Sequence, residues 1–86
     1  MVEAKAIVQN KTGLHARPAT IVVTESKKFK SNIFFKKGDK EVNIKSLLGL
    51  LSLAVKQGDE IVIKADGEDE REAVEVIKNL VENMNE

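Results

Sequence analysis

The sequence predicts an α+β fold in two layers, in which helices cover one face of a mostly antiparallel sheet. Four short segments alternate apolar and charged residues or have a dense β-branched centre, as strands do. Three other segments repeat apolar residues at the three- and four-residue spacing of a helix. These segments follow the order β-α-β-β-α-β-α. A chain of this pattern can bury the apolar sides of both layers in one core.

The first half of the chain is expected to contain three strands and one helix. The strands are predicted at residues 2–8, 32–36 and 40–44, and the helix from 16 to about 27 or 28. In the hairpin turn at residues 37–40, Gly38 provides the freedom to adopt a positive φ. The inner face of the helix is predicted to hold Ala16, Ala19, Val22, Val23 and Ser26, with Phe29 packed beyond its end.

The second half is expected to contain two helices and one strand. A short helix is predicted from residue 47 to about 53 with Ser46 as its N-cap, and a strand at residues 60–65. Asp69 is predicted to cap the last helix, and Glu72 three residues later completes a box-like start. The apolar stripe of this helix comprises Ala73, Val74, Ile77, Leu80, Val81 and Met84.

Length and composition limit the class of protein. Eighty-six residues suit a single domain, 1–86, with one modest core. The chain has no cysteine, which excludes disulfides and thiolate metal sites. No apolar run approaches the roughly 18 residues of a membrane span, and residues 1–5 lack a signal-peptide pattern. We therefore expect a cytoplasmic protein that is not inserted in a membrane and needs no metal or cofactor.

The charges are unevenly distributed although they sum to zero. Residues 1–40 hold nine Lys or Arg against three Asp or Glu, whereas residues 41–86 hold five against eleven. We interpret Lys36, Lys37 and Lys40 as a solvated face. Arg17 and Lys27 are candidates for guiding acidic protein partners. Direct binding of nucleic acid is disfavoured, because the only aromatic residues are three phenylalanines.

His15 is the only histidine and the main candidate for chemistry. Gly13 marks a turn before it, and Pro18 suits the first turn of the helix that follows. His15 is thus expected at the N-cap, beside the free backbone N–H groups of Ala16 and Arg17, where an anion can bind. The guanidinium of Arg17 adds a planar fork of donors that suits phosphate. A lone histidine here is more often a plain surface residue, but a nucleophile in an anion site suggests a phosphoryl acceptor.

Two segments resemble the HPr family, the histidine-containing phosphocarrier proteins of the phosphoenolpyruvate-dependent sugar phosphotransferase system. Gly-Leu-His-Ala-Arg-Pro-Ala at residues 13–19 is similar to the active-site motif of that family. Residues 41–53, centred on Ser46, resemble its second signature, which surrounds a regulatory serine. The spacing of the two motifs, the chain length and the element order also fit. The resemblance implies an open-faced β-sandwich with sheet order 1-4-2-3.

The resemblance also implies a function. His15 would accept a phosphoryl group on Nδ1 from enzyme I and pass it to an enzyme IIA domain, so that the protein is a monomeric carrier rather than an enzyme. Arg17 would stabilise that group. Five leucines at residues 47–53 exceed what one buried stripe needs. They could form a fully buried small helix, but the resemblance favours a docking surface; the docking residues it implies are Thr20, Lys27, Leu47, Leu48 and Leu51.

Other functions are compatible with parts of the sequence. Ser46 could be modified by an HPr kinase/phosphorylase, so that the product serves as co-repressor for a catabolite control transcription factor, or it could be a plain N-cap. A purely regulatory paralogue would be expected to lack His15, and a nitrogen-branch paralogue is a further alternative. A ferredoxin-like metal or RNA module fits the element order. The sequence, however, shows no metal-ligand spacing and no aromatic platform for stacking bases.

The chain departs from the family pattern at three positions. Leu48 and Leu51 stand where the family often has methionine, so partner preference can differ. Ala54 stands where glycine is frequent, which leaves the end of the second helix open because alanine resists a positive φ.

Overall fold

The computed structural model describes residues 1–84 and has the predicted order of elements. The elements are β1 (Val2–Ile7), α1 (Ala16–Ser26), β2 (Asn32–Lys37), β3 (Lys40–Asn43), α2 (Leu47–Ser52), β4 (Glu60–Asp66) and α3 (Glu70–Glu82). Each predicted boundary lies within two residues of the observed one. Met84, which we placed on the stripe of the last helix, lies beyond the end of α3 but is buried.

The four strands form one antiparallel sheet in the order β1-β4-β2-β3. β4 pairs with a strand on each side, and its Ile61, Ile63 and Ala65 are buried. Ile63 lies opposite Ala4 of β1 and Phe35 of β2, so the core positions of neighbouring strands are in register. This order confirms the sheet topology that the resemblance implied.

The three helices cover one face of the sheet and enclose the core. α3 packs across β1 and β4, α2 packs on β3, and α1 packs against both other helices. The largest fully buried apolar side chains are those of Phe35, Ile33, Ile44, Leu50, Ile61, Ile63 and Ile77. The opposite face of the sheet is open, and Lys64 there forms an ion pair with Glu41 at 2.9 Å. None of the helices within residues 1–84 could span a bilayer, since the longest, α3, has only 13 residues.

The start of α3 differs from the prediction. Asp69 occupies the N-cap position, but its side chain makes no capping hydrogen bond. Its carboxylate instead accepts hydrogen bonds from the backbone N–H groups of Lys30 and Ser31, each at 2.9 Å, and from the hydroxyl of Ser31. Glu70, and not Glu72, reaches back to accept from the Gly67 N–H at 3.1 Å. The predicted capping box was wrong because a tertiary contact recruits the Asp69 carboxylate.

Lys37 and Lys40, which we interpreted as part of a solvated face, instead bind carbonyl groups at the end of α2. That interpretation was wrong for these two residues. The Lys40 ammonium donates to the Ser52 carbonyl at 2.7 Å, and the Lys37 ammonium donates to the Ala54 carbonyl at 2.9 Å. Carbonyl groups at a helix end have no intrahelical donor and favour cations. Ala54 itself adopts the left-handed conformation with φ of 55°, at a cost of about 1–2 kcal/mol. The Lys37 contact helps to hold it there.

Candidate functional site

His15 stands at the N-cap of α1 with its side chain exposed to solvent. Its backbone is extended, with φ of −75° and ψ of −172°, and its carbonyl accepts the Ala19 N–H at 2.8 Å. The imidazole makes no capping hydrogen bond to the helix. This placement agrees with the sequence prediction. An imidazole that the helix does not use remains available for chemistry at the surface.

The loop that carries His15 is fixed by its own hydrogen bonds. The Asn10 side-chain amide donates to the Gly13 carbonyl, while the Gly13 N–H donates to the Asn10 carbonyl at 3.1 Å. The next residue, Leu14, is buried, and its N–H donates to the Val55 carbonyl at 3.1 Å. The buried side chain and these bonds present His15 at the surface from a well-anchored segment.

Gly13 is required by a close approach that the sequence does not reveal. Its φ is +63°, which L side chains rarely adopt. A Cβ at this position would lie 2.8 Å from the Lys56 Cα and closer still to the Val55 carbonyl oxygen. Any side chain here would therefore push the loop of His15 away from the segment at residues 54–56.

The first turn of α1 has features that favour the binding of an anion. It contains no acidic residue, and Ala16 and Arg17 are exposed. Their N–H groups are among those at a helix start that lack an intrahelical acceptor, and the helix dipole adds a partial positive charge. Thr20 is exposed one turn later, and its hydroxyl donates to the Ala16 carbonyl at 2.7 Å. Arg17, Thr20 and Ile21 line a shallow depression on this side of α1.

A second depression, of about 220 Å³, is bordered by His15 itself. It is lined by Leu14, His15, Leu51, Ala54, Val55 and Lys56. His15 and Leu51 therefore border the same space, which brings α2 next to the histidine. This adjacency is a tertiary result, since the two residues are far apart in the chain.

Asp59 organises the wall of that depression. Its carboxylate accepts the Lys56 backbone N–H at 2.8 Å and forms an ion pair with Lys37 at 3.0 Å. The hydrogen bond from the Lys56 N–H, followed by the contact with Lys37, lowers the pKa of Asp59 below its ordinary value. The carboxylate thus stays ionised, and it ties the residues behind the His15 loop to the end of β2.

Ser46 is the N-cap of α2, as predicted. Its backbone is extended, and its hydroxyl oxygen accepts the Gly49 N–H at 3.2 Å. Its carbonyl accepts the Leu50 N–H at 3.0 Å. The side chain is exposed, so the hydroxyl both caps the helix and faces solvent.

The leucines of α2 divide into a buried and an outward-facing set. Leu50 and Leu53 are buried, whereas Leu47 is 37% and Leu48 is 81% exposed. Leu51 is half-buried. The alternative of a fully buried small helix was therefore wrong, and Leu47 and Leu48 are available at the surface beside Leu51.

Two features of the surrounding surface were not foreseen. Ile21 is 39% exposed beside Thr20, an exposure that we did not predict. The signal was present, because an isoleucine outside the predicted stripe of residues 16, 19, 22, 23 and 26 must face outward. The prediction was wrong for Ala16, which is exposed in the first turn. Lys27 is the C-cap of α1, so an 11-residue helix of about 16 Å separates it from His15. The structure does not bring Lys27 next to the histidine.

These features together define a class of small α+β proteins with an exposed histidine at the open start of a helix. Residues 2–83 match the protein family described as "PTS HPr component phosphorylation site". The HPr-like protein Crh of Bacillus subtilis is 49% identical over 82 residues, which is 95% of this chain and 96% of that protein. The chain belongs to the HPr family of phosphocarrier proteins.

Solved structures show the same relationship. HPr from Thermoanaerobacter tengcongensis superimposes with a TM-score of 0.92 at 45% identity, covering 95% of this chain and 92% of that one. A crystal structure of Bacillus subtilis Crh, described as a swapped dimer, matches with a TM-score of 0.77 at 49% identity, covering 94% of this chain and 93% of that one. Relatives therefore include proteins named HPr and proteins named Crh.

Proposed function

We propose that this protein is a phosphocarrier of the phosphoenolpyruvate-dependent sugar phosphotransferase system, working in the cytoplasm. It accepts a phosphoryl group on His15 from enzyme I and passes it to an enzyme IIA domain. The observation that carries the proposal is the exposed imidazole at a helix start that contains no acidic residue and uses no side-chain cap. Membership of the HPr family supports the same assignment.

The transfer step needs little from this chain beyond position and charge. The lone pair of Nδ1 attacks phosphorus, and the bond between phosphorus and the donor atom breaks as the new N–P bond forms. The other ring nitrogen keeps its proton. In this proposal the N–H groups of Ala16 and Arg17 and the Arg17 guanidinium balance the negative oxygens. Reversing these events on a second partner releases the group.

The small number of donors suits a carrier. Phosphoryl transfer depends mainly on positioning and electrostatic stabilisation, which the partner enzymes can share. A site that surrounded the phosphoryl group with many donors would hold it too tightly for onward transfer. The exposed His15, with one arginine and one helix start beside it, allows both capture and release. We therefore assign the chain the role of a carrier and not of an independent enzyme.

The docking surface proposed for enzyme I and enzyme IIA lies beside the histidine. It comprises Leu47, Leu48 and Leu51 of α2 with Thr20 and Ile21 of α1. Exposed apolar residues next to a reactive group often mark a protein interface. Lys27 is placed at the far end of α1, where it would steer partners by long-range attraction rather than contact the phosphoryl group.

The enzyme I assay tests this function directly. Purified protein is incubated with enzyme I and phosphoenolpyruvate labelled with ³²P, and the label is expected to be acid-labile and base-stable. His15→Ala should fold normally, since the side chain is exposed, and should take up no label. Transfer of the label to enzyme IIA completes the assay. Label that persists in His15→Ala would refute the assignment.

A regulatory function is the second candidate, and the relatives named Crh favour it. Ser46 exposes a hydroxyl at the start of α2, where an added phosphate would meet the positive end of the helix. An HPr kinase/phosphorylase would add that phosphate, and a catabolite control transcription factor would bind the product. Retention of His15 argues that this role accompanies transfer. Incubation with the kinase and ATP should label the wild type but not Ser46→Ala.

The oligomeric state is part of the same proposal. We propose that the carrier acts as a monomer, which leaves the surface around His15 open to its partners. A swapped dimer has been seen in the Crh crystal structure. Light scattering during size-exclusion chromatography should give a mass close to the 9.5 kDa of one chain, and a mass near twice that value would overturn the monomer.

A further inference from the structure

Lys56 belongs to the segment that packs directly behind the His15 loop. The Lys56 Cα approaches Gly13 so closely that a Cβ on Gly13 would lie 2.8 Å from it. The preceding residue, Val55, accepts the Leu14 N–H at 3.1 Å. Residues 55 and 56 are therefore in contact with the two residues that immediately precede the histidine.

The backbone of Lys56 is held in place on both sides. Its N–H donates to the Asp59 carboxylate at 2.8 Å, and its carbonyl accepts the Asp59 N–H at 3.0 Å. The same carboxylate is paired with Lys37. The Cα of Lys56 is thus fixed, while the flexible four-carbon side chain lets the ammonium group move over the surface.

The Lys56 side chain is exposed and lines the same depression as His15. Arg17 lines a different one, with Thr20 and Ile21. Lys37 and Lys40 are engaged with the end of α2. By contrast, no carboxylate within residues 1–84 lies within 4 Å of the Lys56 ammonium. Lys56 lines this depression and forms no such pair, so its ammonium can meet an added negative group there.

We propose that Lys56 is a second cationic ligand of the phosphoryl group on His15, approaching it from the depression that Arg17 does not line. The inference rests on the proposed function, because it needs a phosphorylated histidine. Its ammonium attracts the dianionic form of the group more strongly than the monoanionic form. Lys56 thereby favours the dianionic form of the phosphohistidine. A carrier with a neutral residue at this position would lack that stabilisation.

The test uses chemically phosphorylated protein, so that it does not depend on enzyme I. The full chain is treated with phosphoramidate, a small-molecule phosphoryl donor for imidazoles, and His15 is the only histidine that can react. The pH midpoint of the second ionisation is read from the ³¹P resonance of the phosphohistidine at low salt. The variants are Lys56→Gln, Lys56→Arg and the control Lys5→Gln, which removes an exposed charge from the sheet face away from the helices.

Lys56→Gln should raise the midpoint by about 0.3 to 0.7 pH units, as expected for one charge pair about 4–8 Å apart in water. Lys56→Arg should keep the wild-type midpoint, and Lys5→Gln should move it by less than about 0.1. Added salt should shrink the difference. Equal midpoints for Lys56→Gln and wild type, or equal shifts for Lys56→Gln and Lys5→Gln, would overturn the inference. Failure of enzyme I to label the wild type would instead refute the proposed function.

Discussion

The starts of α1 and α3 use the same backbone geometry in opposite ways. α3 begins with Glu70 and Glu72 in its first turn, and Glu70 lies 3.3 Å from the N-terminal ammonium of the chain. α1 begins with His15 at the N-cap and has no acid in its first turn. One helix start is filled by negative charge from the chain itself. The first turn of the other helix contributes no negative charge of its own.

The filled start adds to stability. Hydrogen bonds from the Ser31 hydroxyl, from the Lys30 N–H and from the Ser31 N–H lower the pKa of Asp69 to about 2. The Gly67 N–H and the N-terminal ammonium similarly lower the pKa of Glu70. Neither start has a side-chain capping hydrogen bond, so the difference lies in the acidic residues of the first turn, which α1 lacks and which are typically worth about 0.3–1 kcal/mol each. Under the proposed function, the absence of acidic residues from the first turn of α1 lets that helix start receive a phosphoryl group.

Ala16→Glu should have the largest effect, because it makes the start of α1 resemble that of α3. A carboxylate there competes with the phosphoryl group for the helix start and repels it, so phosphorylation by enzyme I should slow about 100-fold. The free energy of unfolding should stay equal or rise by about 0.5 kcal/mol. Thr24→Glu makes the same charge change two turns later and should slow the reaction far less. Equal slowing in both variants would mean that the start of α1 has no special role.

Arg17→Ala should have the next largest effect. Loss of a charge-assisted contact worth about 1.5–3 kcal/mol should slow transfer about 10- to 100-fold. The melting temperature should change little, because the side chain is exposed. Arg17→Lys should restore little of the rate, since an ammonium lacks the bidentate fork. Rapid-quench measurement of labelling would check this order, and a near wild-type rate in Arg17→Ala would reduce the residue to a surface charge.

Ser46→Asp tests the start of α2, which is capped but exposed. The aspartate can still cap the helix, so the melting temperature should be equal or higher. Its charge borders the leucine surface and should repel an acidic partner, slowing phosphorylation of His15 about 10-fold at low salt. The defect should shrink as salt screens the repulsion. A clearly lower melting temperature would indicate disturbed packing instead. The same conclusion would follow if the slowing of His15 phosphorylation did not depend on the salt concentration.

Asp69→Asn should have the smallest effect on transfer and a distinct effect on stability. Because the pKa of Asp69 is lower in the folded protein than its ordinary value of 3.8, its ionised form stabilises the fold above about pH 4. That contribution is lost as the pH falls towards 2. The wild type should therefore melt higher than Asp69→Asn at neutral pH, and the two melting temperatures should converge near pH 2.

The control for this prediction is Asp39→Asn, which makes the same substitution in the exposed hairpin turn, away from the Ser31 loop. Phosphorylation of His15 by enzyme I should proceed within about twofold of the wild-type rate in Asp69→Asn. The length of α1, about 16 Å, separates the Asp69 contacts from the histidine. A constant difference in melting temperature from pH 2 to 7 would contradict the assigned role of the carboxylate.

Local sequence patterns determined the elements of this protein and the position of its candidate site. The alternation in β1, the helical stripes of α1 and α3 and the turn at Gly38 depend on neighbours within a few residues, so their periodicity was sufficient. Ser46 as a cap and His15 as an exposed N-cap residue are also local features. The sheet order did not follow from periodicity, and it was expected only from the resemblance to a known family.

Tertiary structure alone decided how those pieces meet. It brought Leu51 and Lys56 to the depression beside His15, and it made Gly13 necessary because Val55 and Lys56 approach it. It turned Lys37 and Lys40 from expected solvated charges into partners of the end of α2, and it drew the Asp69 carboxylate to the loop of Ser31. Each of these contacts joins residues distant in the chain. The physical reason is the same in each case. A polar group binds whichever partner the packed core brings within reach, and a local sequence pattern does not specify which distant residue that will be.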